Sequence, residues 1–282
     1  MPMRQPVAAQ FYAGDCKAQI ETYLRDFTPP DEPRRVVAGI VPHAGWFFSG
    51  ETAAKVFATI QAKEMPSTFI LLGAVHSPGV WKNSVYYTGR WETPFGPLEV
   101  DSAVAARLIN QLPELVTGDH RAHANEHSIE VQTPMIKYLF PDARIVPIAV
   151  PPGRDAAKLG DAIGKMIHEG WFNAVVIAST DLTHYGDNYA FSPVGNGRHA
   201  YEWMVENDKR IIELAMKLKA EEVLTEAASH RNACGAGAMA AAVAAARAMD
   251  AGRGHLVQYT TSYDVYPTGE FDMAVGYAGI VF

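Results

Sequence analysis

Residues 35–50, RVVAGIVPHAGWFFSG, join an apolar run to a histidine and three aromatic residues. Residues 35–42 are apolar at nearly every position, which predicts a strand buried on both faces of its sheet. A helix predicted over residues 49–62 follows almost at once, with Ser49 as its N-terminal cap. The stretch therefore predicts an α/β layered fold, with His43 just beyond the carboxyl end of a central strand.

The same alternation of short apolar runs and helical patterns continues along the chain. Further strands are predicted over residues 68–74, 143–150, 173–179, 255–263 and 273–282. Further helices are predicted over residues 101–111, 127–139, 154–169, 199–218 and 235–249, with caps at Asp101 or Ser102 and at Ser128 or its neighbours. Since no repeat, low-complexity tract or long linker interrupts the pattern, we predict one domain, residues 1–282.

Composition excludes several classes of partner. The 282 residues are 48% hydrophobic and carry 24 basic and 31 acidic side chains, a net charge of -7 with no run of like charges. We therefore expect no nucleic-acid partner and no membrane partner. The two cysteines are far apart in sequence, and no signal peptide is recognisable, so we expect a reducing, cytoplasmic location. The glycine-rich motifs of nucleotide-binding proteins are absent, so we expect no nucleotide cofactor.

Polar residues follow three of the predicted strands. His43 and His76 each come directly after an apolar run, while Asp181 ends a third run and His184 follows three residues later. In open α/β sheets, ligands bind outside the carboxyl ends of the strands. One such residue would be most simply explained as a packed core histidine, but three strand ends together predict a shared site.

Cys234 and the pair Glu126 and His127 are further candidates. Cys234 precedes a glycine-rich helix start, where backbone N–H groups favour a thiolate, although a small buried cysteine is the simpler reading of that motif alone. Beside two histidines, a thiolate is a good ligand for a borderline or soft divalent metal. Glu126 and His127 open a predicted helix. Either they are there because acidic residues stabilise the first turn of a helix, or they form polar contacts at the mouth of a pocket.

Five motifs resemble those of one known family in the same order. They are PHAGWFFSG (42–50), TPFGPLEVD (93–101), EHSIEVQTP (126–134), STDLTHYG (179–186) and CGAGA (234–238). The chain thereby resembles the MEMO-like family, which includes proteins called AmmeMemoRadiSam system protein B. That family is similar in fold to class III extradiol dioxygenases, which implies one domain with a central, mostly parallel sheet and helices on both faces.

The resemblance implies specific roles for these residues. His43, His76 and Cys234 match the metal-ligand positions, and His184, with Asp181 beside it to orient it, matches an acid/base histidine. The related dioxygenases hold iron with two histidines and a carboxylate, so a cysteine here replaces the carboxylate. A thiolate is softer than a carboxylate and is itself oxidisable, which makes copper or zinc alternatives to iron.

Three functions follow as expectations. The first is a metal-dependent enzyme with dioxygenase-like or redox chemistry on a small substrate, with Trp46, Glu126 and His127 in the substrate pocket. The second is a peptide-binding or scaffold protein that retains the pocket, and the third is a zinc-dependent hydrolase. The family name also suggests a radical SAM protein and an AMMECR1-like protein as partners.

Overall fold

The computed structural model describes residues 2–12 and 14–282. The strands are β1 (Met3–Arg4), β2 (Ala38–Val41), β3 (Thr68–Gly73), β4 (Asn83–Val85), β5 (Arg90–Trp91), β6 (Leu98–Glu99), β7 (Val116–Gly118), β8 (Arg144–Ala149), β9 (Ala174–Ser179), β10 (His184–Tyr185), β11 (His255–Thr261) and β12 (Ala274–Val281). The α-helices are α1 (Cys16–Leu24), α2 (Trp46–Lys63), α3 (Ser102–Gln111), α4 (Thr133–Leu139), α5 (Arg154–His168), α6 (Arg198–Met216), α7 (Ala220–His230), α8 (Ala236–Ala248) and α9 (Ser262–Val265).

A large mixed sheet forms the centre of the molecule. Its strands run in the order β10-β12-β2-β9-β3-β8-β4-β7, and β11 also pairs with β12. The four central strands, β2, β9, β3 and β8, are parallel to one another. On one side of them, β12 runs antiparallel to β2, and on the other, β4 runs antiparallel to β8 and parallel to the edge strand β7. The predicted α/β fold is therefore confirmed, with four parallel strands at the middle of a mixed sheet.

Side chains alternate between the two faces of this sheet, as they must in a pleated strand. In β3, Phe69 and Leu71 pack into the core on one face, beneath α1, α2 and α4. Ile70 and Leu72 pack into the core on the other face, with α3, α5, α6, α7 and α8. Because both faces are covered, every residue of β3 is buried, which explains the continuous apolar run in the sequence.

The alanine-rich helix α8 packs unusually close to α5. A Cβ atom added to Gly160 would lie 1.9 Å from the carbonyl oxygen of Ala241, and one added to Gly164 would lie 2.5 Å from that of Ala245. Only glycine on α5 and alanine on α8 allow the two backbones to approach so closely. Among the described residues, no helix is long and apolar enough to cross a membrane.

The six predicted strands are confirmed within three residues at either end. Two helix starts were wrong. Helix α2 begins at Trp46, with Gly45 at the N-cap position, and the Ser49 hydroxyl donates to the Ala44 carbonyl oxygen instead of capping the helix. In the predicted helix 127–139, only α4 is α-helical, because Pro134 is tolerated only in the first turn and fixes the start of the helix there.

Other elements were not predicted. They are the helices α1, α7 and α9 and the short strands β1, β4, β5, β6, β7 and β10, of which β1 and α1 precede the first predicted strand. The predicted cap at Asp101 is confirmed, since its carboxylate accepts a hydrogen bond from the Val104 amide at the start of α3. That side chain also accepts from the Thr68 hydroxyl, so it joins the start of α3 to the start of β3.

Candidate metal centre

A cavity of about 420 Å³ opens at the carboxyl ends of β2, β3 and β9. These strands are parallel neighbours, so the residues that follow them lie at one edge of the sheet. His43, His76, Asp181 and His184 all line the cavity, together with His127. The predicted convergence of strand-end residues is therefore present in the structure.

His43 is buried and held in one orientation. Its Nδ1 atom lies 3.1 Å from the Ser179 hydroxyl oxygen. That hydroxyl donates its own hydrogen to the Ser128 carbonyl oxygen, 2.7 Å away, so His43 Nδ1 is the donor to Ser179. The Nε2 atom then carries the free lone pair, and it lies 3.2 Å from the Cys234 sulfur. Burial lowers the pKa of His43 to about 4, so the ring is neutral at pH 7.

His76 is held from behind by the Glu126 carboxylate. Its Nδ1 atom donates to Glu126 Oε1 at 3.0 Å, and its backbone N–H donates to Oε2 at 2.7 Å. The hydrogen bond to Glu126 raises the pKa of His76, while burial opposes the shift. A carboxylate bound to Nδ1 orients the ring so that Nε2 faces the ligand position, as in many metal-bound histidines.

Cys234 closes the cluster from the loop before α8. Its Sγ atom accepts a hydrogen bond from the Asp181 amide at 3.3 Å, and its own N–H donates to the Asp181 carbonyl oxygen at 3.2 Å. Burial, and then the nearby Asp181 charge, raise the pKa of the Cys234 thiol. Burial therefore opposes the thiolate that the glycine-rich helix start was predicted to favour.

Within residues 2–12 and 14–282, two groups of side chains have ligand atoms within 4.8 Å of one another. One is His43, His76 and Cys234, and the other is His76, Glu126 and His127. In the second group the Glu126 oxygens already accept hydrogen bonds from the backbone amides of His127 and Ser128 and from both N–H groups of His76. Because Oε1 accepts three of these bonds and Oε2 the fourth, Glu126 is less suited to bind a cation, and the first group is the better ligand set.

Asp181 and His184 do not contact each other in the predicted way. Asp181 Oδ1 accepts a hydrogen bond from the His43 backbone N–H at 2.7 Å. His184 instead donates from Nδ1 to the Leu182 carbonyl oxygen at 3.0 Å. The prediction that Asp181 orients His184 was therefore wrong. Asp181 instead holds the backbone of His43, and the Leu182 carbonyl oxygen orients the His184 ring.

The wall of the cavity differs from the predicted one. Trp46, predicted as part of the substrate pocket, is 1% exposed and donates from its indole to the Val131 carbonyl oxygen in the core. Phe48, two residues on, lines the cavity in its place. Since α2 begins at Trp46, Phe48 lies about 200° further around the helix. Glu126 is buried behind His76 and does not line the cavity, whereas His127 does.

The remaining wall is mostly aromatic and apolar. Among the described residues that line the cavity there is no lysine or arginine; besides the polar groups already given, they are Phe11, Ala44, Gly45, Phe48, Tyr189, Ser262, Met273, Val275 and Tyr277. A larger groove of about 920 Å³ lies on the outer side of α5 and α7, but none of its described lining residues is a histidine or cysteine. The chemistry-bearing side chains therefore point to the smaller cavity.

Several residues of the site were not predicted from the sequence. Ser179 is the last residue of β9 and determines which nitrogen of His43 is protonated. Its position at the end of a strand, two residues before Asp181, could have indicated that Ser179 lies at the site. Phe11 and Tyr277 lie more than 260 residues apart in the chain, and no local pattern indicates that they share a wall.

Comparisons with known proteins agree with these observations. The sequence matches the family described as Memo-like protein over residues 4–281. It is 36% identical to a MEMO1 family protein of Pyrococcus furiosus, covering 100% of this chain and 99% of that one, and 36% identical to one of Thermococcus onnurineus, covering 98% and 97%. An uncharacterized protein of Escherichia coli K12 has a similar fold, with a TM-score of 0.53 at 14% identity, over 87% of this chain and 99% of that one.

Proposed function

This chain belongs to the Memo-like protein family, and on that premise we propose that it is a metal-dependent enzyme acting on a small molecule. One observation carries the proposal: the ligand atoms of His43, His76 and Cys234 all lie within 4.8 Å of one another at the cavity. In both histidines Nδ1 is engaged by an acceptor, which leaves Nε2 available to bind a metal ion.

The donor set fits a borderline or soft metal ion. Two imidazole nitrogens and one sulfur suit iron, copper or zinc better than magnesium or calcium, which prefer oxygen. Three protein ligands beside an open cavity leave a coordination position for substrate, as catalytic sites require. We propose iron as the resident metal, with copper and zinc as the alternatives. When bound, such an ion supplies Lewis acidity and, for iron or copper, electron transfer.

The chain's own residues would bind and orient the substrate and move its proton. Phe11, Phe48 and Tyr277 form an apolar wall that excludes water from one side of the substrate. His184 also lines the cavity and donates from Nδ1 to a backbone oxygen, which leaves its Nε2 atom to exchange a proton with the substrate. Asp181 holds the backbone of His43 in place while the substrate binds.

The test is the metal content of protein purified without added metal. We expect stoichiometric metal in the wild type. In His43→Ala and Cys234→Ala we expect the metal content to fall, because each variant lacks one ligand and binds the metal more than about tenfold more weakly. His168→Ala and Cys16→Ala are matched controls, since neither side chain lies at the cavity. Equal metal content in the ligand variants and the controls would contradict the proposal.

A zinc-dependent hydrolase is the second candidate. The observation in its favour is that the ligand group of two nitrogens and one sulfur includes two histidines on the cavity wall, and His184 lies on the same wall, where a base for a bound water is needed. Turnover by the zinc-loaded protein in the strict absence of oxygen would favour the hydrolase, whereas turnover that requires oxygen and iron or copper would favour the redox enzyme.

A further inference from the structure

Two adjacent polar side chains on α6, Asn207 and Asp208, are completely buried. Neither lines the cavity. Moving an amide or a carboxylate out of water costs free energy that an apolar side chain would not cost, and that cost has to be offset by hydrogen bonds. Their hydrogen-bond partners therefore indicate what the two side chains do.

Asp208 binds the segment that carries His184. Its Oδ1 atom accepts a hydrogen bond from the Thr183 backbone N–H at 2.9 Å, and its Oδ2 atom accepts from the Tyr259 hydroxyl at 2.9 Å. Gly276 on β12 packs directly against the carboxylate, since an added Cβ would lie 1.9 Å from Oδ2. The carboxylate is thus fixed from three sides, and one of its bonds ends on the residue immediately before His184.

Asn207 binds that segment and a second one. Its Nδ2 atom donates to the Thr183 hydroxyl at 2.9 Å and to the His230 carbonyl oxygen at 3.1 Å. Its backbone oxygen accepts from Asn232 Nδ2 at 2.8 Å. Asn232 lies two residues before Cys234, so Asn207 contacts both chain segments that supply residues to the candidate site.

We name residues 181–184 the first strap and residues 230–234 the second strap. The two straps also bond to each other at the metal centre, through the Asp181 amide and the Cys234 sulfur. Because α6 holds both from behind, the relative position of the cysteine and the acid/base histidine depends on that helix.

We propose that Asn207 and Asp208 are positioning residues that hold the first strap against the second and so set the place of Cys234 and His184 in the candidate site. The inference rests on the proposed function, since it concerns the geometry of that same site. It adds a buried polar pair, remote from the cavity, to the residues on which metal binding depends.

The experiment compares variants that do and do not break the contact with the first strap. Asp208→Ala removes the acceptor for Thr183, whereas Asp208→Asn keeps an oxygen at that position. Tyr259→Phe is the matched control, because it removes the other hydrogen bond to the same carboxylate and leaves the strap contact intact. Thr183→Val removes the Asn207 contact with little change of shape, and it serves if Asp208→Ala fails to fold.

Two readouts are needed. The first is Co²⁺ titration, with the dissociation constant and the thiolate-to-Co²⁺ absorption band as signals. We expect binding to weaken by about tenfold or more in Asp208→Ala and by about threefold in Thr183→Val, with a weaker thiolate band. Tyr259→Phe and Asp208→Asn should bind Co²⁺ with the affinity of the wild type, because both keep the contact with Thr183.

The second readout is the alkylation rate of Cys234 by iodoacetamide in the metal-free protein, with the modified cysteine identified by mass spectrometry. We expect faster alkylation in Asp208→Ala and Thr183→Val, because a displaced strap exposes the sulfur. Equal effects of Asp208→Ala and Tyr259→Phe on both readouts would overturn the positioning role. Failure of the wild type to bind Co²⁺ would instead count against the proposed function, while alkylation would still test the positioning claim.

Discussion

Two buried titratable residues, His43 and Asp208, have pKa values shifted in opposite directions. Burial lowers the pKa of His43 from 6.5 to about 4 and raises the pKa of Asp208 from 3.8 to about 7. In both cases water is removed from around the charged form, which is therefore disfavoured. The two groups affect stability oppositely over the same range of pH, so wild-type unfolding curves alone do not separate them.

The direction in which each group changes stability with pH depends on whether the folded or the unfolded state binds more protons. Between about pH 4 and 6.5 the unfolded chain protonates His43 more than the folded protein does, so His43 makes stability rise with pH. Between about pH 4 and 7 the folded protein holds a proton on Asp208 that the unfolded chain has lost, so Asp208 makes stability fall as pH rises.

Asp208→Asn isolates the second effect. We expect the variant to gain stability relative to the wild type as pH rises from about 4 to 7, by up to about 1.4 kcal/mol per pH unit, because it cannot ionise. The measurement is the free energy of unfolding in urea at several pH values for both proteins. A difference between the two that does not change with pH would show that Asp208 ionises at its ordinary pKa in the folded protein.

At the scale of elements, strands were easier to predict than helix starts. Residues 69–74 are apolar without interruption because β3 is covered on both faces, and such a run by itself predicts a buried strand. Helix α2 begins at Trp46 because Gly45 occupies the cap position without any side-chain hydrogen bond, which leaves no polar signature at the start. Ser49 had that signature, but its hydroxyl bonds to a carbonyl oxygen in the preceding turn.

The close contact of α5 with α8 gives the prediction at this scale. Gly160→Ala would normally stabilise a helix by about 1 kcal/mol, since alanine is the better helix former. Here the new methyl group would meet the Ala241 backbone, so we expect the variant to be less stable by at least about 2 kcal/mol. Urea unfolding measures the change.

Gly153→Ala, at the start of the same helix, is the matched control. A Cβ atom there meets nothing within 4 Å, and the backbone is extended, so the loss of stability should stay within about 1 kcal/mol, the usual cost of alanine at a cap position. A stabilising effect of Gly160→Ala would mean that the two helices lie further apart than the structure indicates.

At the scale of the whole molecule, the candidate site was only partly predictable. The sequence predicted the residues that follow the strands, because the residues after parallel strands lie together at one edge of the sheet. They are His43, His76, Asp181 and His184. Phe11 left no such signal. It reaches the cavity because the N-terminal segment folds back over residues 123–130, a contact between parts of the chain more than 110 residues apart.

Glu130 is the anchor of that N-terminal segment. Its carboxylate forms a buried ion pair of 2.7 Å with Arg4 and accepts hydrogen bonds from the Val7 and Ala8 amides and the Tyr12 hydroxyl. These bonds hold residues 4–12 across the molecule. Phe11, next to Tyr12, forms part of the cavity wall. The buried Glu130 carboxylate therefore links the N-terminal segment to the candidate site.

Glu130→Gln tests this link with the smallest change of shape. All the partners of Glu130 are donors, so the new NH2 group faces a donor in either orientation, and the guanidinium of Arg4 is left buried without its charge partner. We therefore expect a loss of about 3 kcal/mol in stability. Hydrogen exchange of the Val7 and Ala8 amides should become faster before the core unfolds, since their acceptor is weakened. Glu21→Gln, which removes the exposed pair with Lys17, should cost less than about 0.5 kcal/mol and leave that exchange unchanged. If Glu130→Gln were to destabilise the protein with unchanged exchange at Val7 and Ala8, Glu130 would stabilise the core without anchoring the segment over the cavity.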